Sequence, residues 1–155
     1  MKVFKRTVGL ATLLVAGIAS NAQAETLLCR IEPGYGSGWF GPEMIISLNR
    51  DTGHVRVLDG VILDRNKGPV LSRFDARRGK STLGYRLNVP TRARGTRTAL
   101  FRATLFEETG RLNLFVNLEH DGHRKSARGS CRRSDRPFEA IEGFGTTRAR
   151  PYPFP

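Results

Sequence analysis

Thr98-Ala99-Leu100-Phe101-Arg102-Ala103-Thr104-Leu105-Phe106-Glu107-Glu108-Thr109-Gly110-Arg111-Leu112-Asn113-Leu114-Phe115-Val116-Asn117-Leu118-Glu119 decides the fold class. In its second half Leu112, Leu114, Val116 and Leu118 alternate with Arg111, Asn113, Phe115, Asn117 and Glu119. That period of two marks a strand with one buried face. Glu107-Glu108-Thr109-Gly110 fits a four-residue hairpin loop on a type I turn, with Gly where positive φ is needed. A loop of that length pairs Leu105 with Leu112, Ala103 with Leu114, Phe101 with Val116 and Ala99 with Leu118. A slip of one residue would set apolar side chains against polar ones, so the pattern fixes the register. On the opposite face Arg102 then meets Phe115, and Phe106 meets Arg111.

Working outward, Arg50-Asp51-Thr52-Gly53 repeats the same turn grammar and pairs Leu48 with Val55 and Ile46 with Val57. Leu83, Tyr85, Leu87 and Val89 alternate with Thr82, Gly84, Arg86 and Asn88. Further strands are expected over Thr26–Ile31, Val70–Phe74 and Ser126–Arg132, with Glu43–Asn49 and His54–Asp59 forming the first hairpin. No window of eleven or more residues after the N-terminal stretch carries helical periodicity. The fold class is therefore all-β: a small antiparallel β-barrel or β-sandwich of about eight strands.

Residues 1–24 have the grammar of a signal peptide. Lys2, Lys5 and Arg6 precede an apolar run from Val8 to Ile18, and Ala22-Gln23-Ala24 is a small-x-small cleavage site. The run is well short of the ~20 residues that span a bilayer. The expected product starts at Glu25, with a β domain over 25–133, an extended C-terminal tail over 134–155 and no transmembrane segment after cleavage. Periplasm or the extracellular space is the expected location. Cys29 and Cys131 are the only cysteines. In an oxidising compartment two such cysteines pair, and a loop of about a hundred residues gives a disulfide up to ~4.7 kcal/mol in the chain-entropy model.

The chain carries 26 Lys+Arg against 14 Asp+Glu. Three of those cations sit in the leader, so the mature chain has 23 and a net charge of +9. Twenty of the 23 are arginine, whose planar fork matches carboxylate and phosphate and stacks on aromatic rings. Such a balance points to an anionic envelope component or an acidic protein as partner, and it serves solubility equally well. Nucleic acid is not favoured. Candidate anion-binding residues are Arg86, Arg102 and Arg111, with Phe106 and Phe115 as apolar neighbours.

Other constellations fall short of a site. His120 and His123 are three apart around Asp121-Gly122, but a metal needs three or four converging ligands and His54 lies in another hairpin. No metal and no cofactor is expected. Pro33-Gly34-Tyr35-Gly36-Ser37-Gly38 lacks the Gly-Lys-Ser/Thr ending of a phosphate loop and opens no helix. Trp39 is expected in the core. Glu107 and Glu108 are adjacent carboxylates on a turn, and no Ser-His-Asp pattern is recognisable, so no catalytic residue is assigned.

Trp39-Phe40-Gly41-Pro42-Glu43, Asp51-Thr52-Gly53, Val57-Leu58-Asp59-Gly60, Gly68-Pro69 and Gly129-Ser130-Cys131 together resemble a group of small exported bacterial proteins of unknown function. Their pattern is a signal peptide followed by a Cys-to-Cys β domain. The resemblance covers about Thr26–Arg133 and implies export and fold, with no activity or functional residue attached. A looser similarity is to periplasmic barrel-type lysozyme inhibitors, but an inhibitor of a cationic lysozyme should be acidic. The expected function is an exported non-catalytic β module that binds an anionic surface or partner through Arg-rich outer faces. The alternatives are a protein-binding module such as an enzyme inhibitor, using a loop like Glu32–Gly41, and an enzyme with a site assembled across strands.

Overall fold

The computed structural model describes residues 24–32, 38–91, 95–119, 122 and 124–141. The expected leader (1–23), most of the glycine-rich loop (33–37), His120, His123 and the terminal stretch 142–155 lie outside the described residues.

Eight strands run β1 Glu25–Ile31, β2 Glu43–Asn49, β3 His54–Asp59, β4 Val70–Arg77, β5 Lys80–Thr91, β6 Gly95–Phe106, β7 Arg111–Leu118 and β8 Arg124–Ser134. Each pairs antiparallel with the next, and β1 pairs with β8, closing the barrel in chain order. Closure decides the barrel over the sandwich. It also removes the free strand edges on which sheets aggregate. Both hairpins take the register expected from alternation: Leu105 faces Leu112, Ala103 faces Leu114, Leu48 faces Val55 and Ile46 faces Val57. The glycine ending each turn adopts positive φ, 68° at Gly53 and 67° at Gly110. Gly110 is further constrained, because a Cβ there would stand 2.5 Å from the Cys131 carbonyl oxygen while its own carbonyl accepts the Cys131 N–H at 2.7 Å.

The β1–β8 seam carries the disulfide. Cys29 and Cys131 are directly opposed in the ladder and bonded, with Cα atoms 3.9 Å apart. That is closer than the usual ~4.4–6.8 Å. The bond links the first and last strands of the barrel.

The inward set packs the lumen solid. Leu27, Met44, Ile46, Leu48, Val55, Val57, Leu83, Leu112 and Leu114 are all buried there. Small residues sit between large ones: Ala103 lies between Leu83 and Leu114, and Ala99 between Leu87 and Leu118. Phe101 stacks on Tyr85 at 4.9 Å and meets Phe40 edge-on at 5.8 Å. Trp39 and Phe40 are both buried, as a core tryptophan should be.

Three elements go beyond the sequence reading. A seven-residue helix, α1 Gly60–Asn66, follows β3 and buries Val61 and Ile62 against the core. Asp59 caps it, accepting hydrogen bonds from Ile62 N–H at 2.7 Å and from Gly41 N–H at 3.1 Å. Burial pushes the Asp59 carboxyl above its usual range, and the N–H donors of Ile62, Gly41 and Val61 only partly oppose this. Second, β4 extends to Arg77, and β4 and β5 join through Arg78 and Gly79, both at positive φ (49° and 71°). The β4–β5 ladder ends at Phe74–Leu83; above it Ser72 Oγ donates to the Gly84 carbonyl, and α1 lies against β5. Third, the C-terminal segment expected to be extended from 134 onward folds back in its described part. A 3-10 helix, Phe138–Ala140, lies against β2 and buries Phe138. The Arg56 guanidinium stands 4.1 Å over the Phe138 ring and pairs with Glu139. Ile45 and Ser47 point away from the lumen on this side yet are buried.

Candidate anion-binding surface

Alternation places every second residue of β5–β8 on the outer face, and pairing lines them up in rows across the strands. One row is Arg86, Leu100, Asn117 and Arg124; the next is Gly84, Arg102, Phe115 and Ser126. All of these except Ser126 line an open depression of about 790 Å³. Arg86, Arg102 and Arg124 border it, Leu100 and Phe115 supply its apolar surface, and Thr104 and Asn117 supply neutral polar groups. Gly84, opposite Arg102, contributes no side chain. Among the described residues no acidic one lines it.

Several arginines elsewhere on the barrel are held by carboxylates. At the rim holding the 50–53 and 107–110 turns, the Glu25 carboxylate takes Arg50 at 2.9 Å and Arg133 at 2.7 Å. Arg50 also reaches Glu107 at 3.1 Å, and Glu107 accepts Ser81 Oγ at 2.5 Å. Burial tends to raise the Glu25 pKa, but the hydrogen bonds from Arg133 and Arg50 outweigh it and hold the carboxyl below its usual range. Glu107 is likewise lowered, chiefly by the Ser81 hydrogen bond and then by Arg50. Arg56 and Arg77 pair with Glu139 and Asp75. By contrast, among the described residues Arg86, Arg102 and Arg124 have no carboxylate partner.

The five candidate residues divide. Arg86, Arg102 and Phe115 come together at the depression. Phe106 and Arg111 face each other as expected but lie nearer the β6–β7 turn, where Arg111 and Lys80 stand 5.6 and 5.1 Å from the Phe106 ring centroid. These two cations cover an aromatic ring. Arg102 faces Phe115 in the ladder as expected, but among the described residues no cation lies over that ring, which is 49% exposed. Sequence reasoning missed Arg124, because β8 begins at Arg124 instead of Ser126. Continuing the register back from the cysteine would have placed it opposite Asn117.

The interior offers less. Tyr85 Oη is buried with no hydrogen-bond partner among the described residues, and burial, then the nearby Asp59 charge, raises its pKa well above the ordinary value. It lies within the packed lumen. Among the described residues no three His, Cys, Asp or Glu side chains converge as a metal site. No helix is long and apolar enough to cross a membrane among the described residues.

Compared with family models, curated proteins and solved structures, the chain matches none. The resemblance to small exported Cys-to-Cys proteins accordingly rests on the quoted motifs alone.

Proposed function

We propose that this chain is an exported, non-catalytic β-barrel module of the periplasm or extracellular space that binds an anionic partner through the outer face of β5–β8. One observation carries the reading: among the described residues, three arginines without carboxylate partners border a single depression lined by no acid, whereas Arg50, Arg56, Arg77 and Arg133 are each tied to a carboxylate. Unpaired guanidinium groups clustered on one surface produce a local positive potential and offer forked donors to phosphate or carboxylate. The closed barrel suits such a role, since its ladder is satisfied internally and side chains are left to make the contacts. The disulfide fits an oxidising compartment, and the leader grammar of residues 1–24 agrees with it.

The test is titration of inorganic polyphosphate at two salt concentrations, wild type beside R86Q/R102Q/R124Q. Displacing ions at three arginines should cost the wild type about tenfold or more in affinity over a fourfold rise in salt. The variant should bind weakly with a flatter salt response and keep its melting behaviour, since exposed single charges add little stability. Equal binding by the two proteins, or none by the wild type, would refute the reading.

A further inference from the structure

We infer that the partner of this face is the headgroup surface of an anionic lipid bilayer, with the Phe115 ring entering its interface. The inference rests on the anion-binding reading above and adds the chemistry of the occupant.

The two outer aromatic residues of the β6–β7 hairpin are treated differently. Phe106 lies beneath Lys80 and Arg111, which shield its ring. Phe115 stands 49% exposed, uncovered, beside Arg102 in the ladder and between the strands that present Arg86 and Arg124. Leu100 adds apolar surface to the same depression. A polyanion dissolved in water gains from the arginines but has little use for a bare ring. The headgroup layer of an anionic bilayer offers both counterparts: phosphates for the guanidinium groups, and an interfacial zone where aromatic rings lose contact with water. A cationic rim around an uncovered aromatic ring matches that layering.

Leu71 supplies an internal control. Among the described residues it is the other exposed large hydrophobic, at 74%, but it sits on β4 and lies outside the depression. If the lipid contact is made by this face, Phe115 matters and Leu71 does not.

The experiment uses the mature protein with three probes: vesicles of phosphatidylcholine containing phosphatidylglycerol at about one lipid in three, vesicles of phosphatidylcholine alone, and inorganic polyphosphate. Wild type should bind the anionic vesicles in a salt-sensitive manner and ignore the uncharged ones. Phe115→Ser should weaken vesicle binding about fivefold and polyphosphate binding far less, with an unchanged urea melt reporting the intact fold. Leu71→Ser should alter neither. R86Q/R102Q/R124Q should lose both. If wild type binds polyphosphate but not anionic vesicles, the lipid inference is overturned and the anion-binding reading survives. The lipid inference is overturned equally if Phe115→Ser binds vesicles as wild type does, if it loses polyphosphate binding as well, or if Leu71→Ser is equally impaired. If wild type binds neither probe, both fall.

Discussion

Leu114→Ala tests the barrel register most directly. Leu114 is 1% exposed and sits in the ladder between Ala103 on β6 and Ala127 on β8. Its isobutyl group therefore fills space that neither lateral neighbour can reach. Truncation would place three alanines side by side across β6, β7 and β8, and small side chains cannot extend to close the gap. Leu→Ala changes in cores cost ~2–5 kcal/mol, rising with the cavity left behind. With alanine on both flanks the upper half of that range, about 4 kcal/mol, is expected. Asn113, one residue earlier, points outward opposite Thr104 and Arg128, so Asn113→Ala should change stability by less than about 0.5 kcal/mol. Urea melts of the oxidised protein, fitted with a common slope, measure both. Equal losses in the two variants, or a loss below about 1 kcal/mol for Leu114→Ala, would contradict the packing described.

Glu25→Gln should lower stability near neutral pH. The carboxyl is held below its ordinary pKa, so its contribution is fully present above the unfolded value near ~4.3 and is lost as pH falls through the folded value. Melts of variant and wild type should converge in acid, and a constant difference across pH would show that the ion pairs with Arg50 and Arg133 contribute nothing. C29A/C131A should lose ~2–5 kcal/mol in denaturant melts because the seam bond closes a loop with a separation of 102 residues. A variant as stable as wild type would mean that backbone pairing alone secures the seam.

The strands were legible because most of them obey one rule. Where a strand buries one face and wets the other, alternation reveals both its existence and its register, as in Leu112–Leu118. The helix α1 escaped because two turns are too short to display a 3.6-residue period, and Val61-Ile62-Leu63 reads equally well as a continuation of β3. Its boundaries do have local signals: Asp59 as cap, and Lys67 ahead of Gly68-Pro69 at the end. The β4–β5 turn escaped for another reason. Two-residue turns with both φ positive favour Asn-Gly or Asp-Gly, and Arg78-Gly79 meets that preference only at its second position. Phe138 was hidden because a lone aromatic in a polar segment has no periodicity, whatever it packs against.

The candidate surface was half legible, for a reason that lies in barrel geometry. Alternation says which residues face outward, and hairpin register says which oppose each other on two strands. Neither says how far a row continues to the third and fourth strands, since that requires the strand order and the stagger of β5 and β8. Arg102 and Phe115 could thus be paired from the sequence, whereas Arg124 joined them only once β8 was seated beside β7 with Asn117 opposite it. Pairing likewise cannot reveal which arginines are already neutralised. Arg50 and Arg102 look alike as cations on the chain, yet Arg50 is held between Glu25 and Glu107, which come from β1 and the β6–β7 turn. Partners that distant in sequence meet only because the barrel closes and gathers the start of β1, the end of β8 and the 50–53 and 107–110 turns at one rim. Closure thereby occupies Arg50 and Arg133 at the rim with carboxylates, while Arg86, Arg102 and Arg124, with no carboxylate partner among the described residues, converge on one depression of the β5–β8 face.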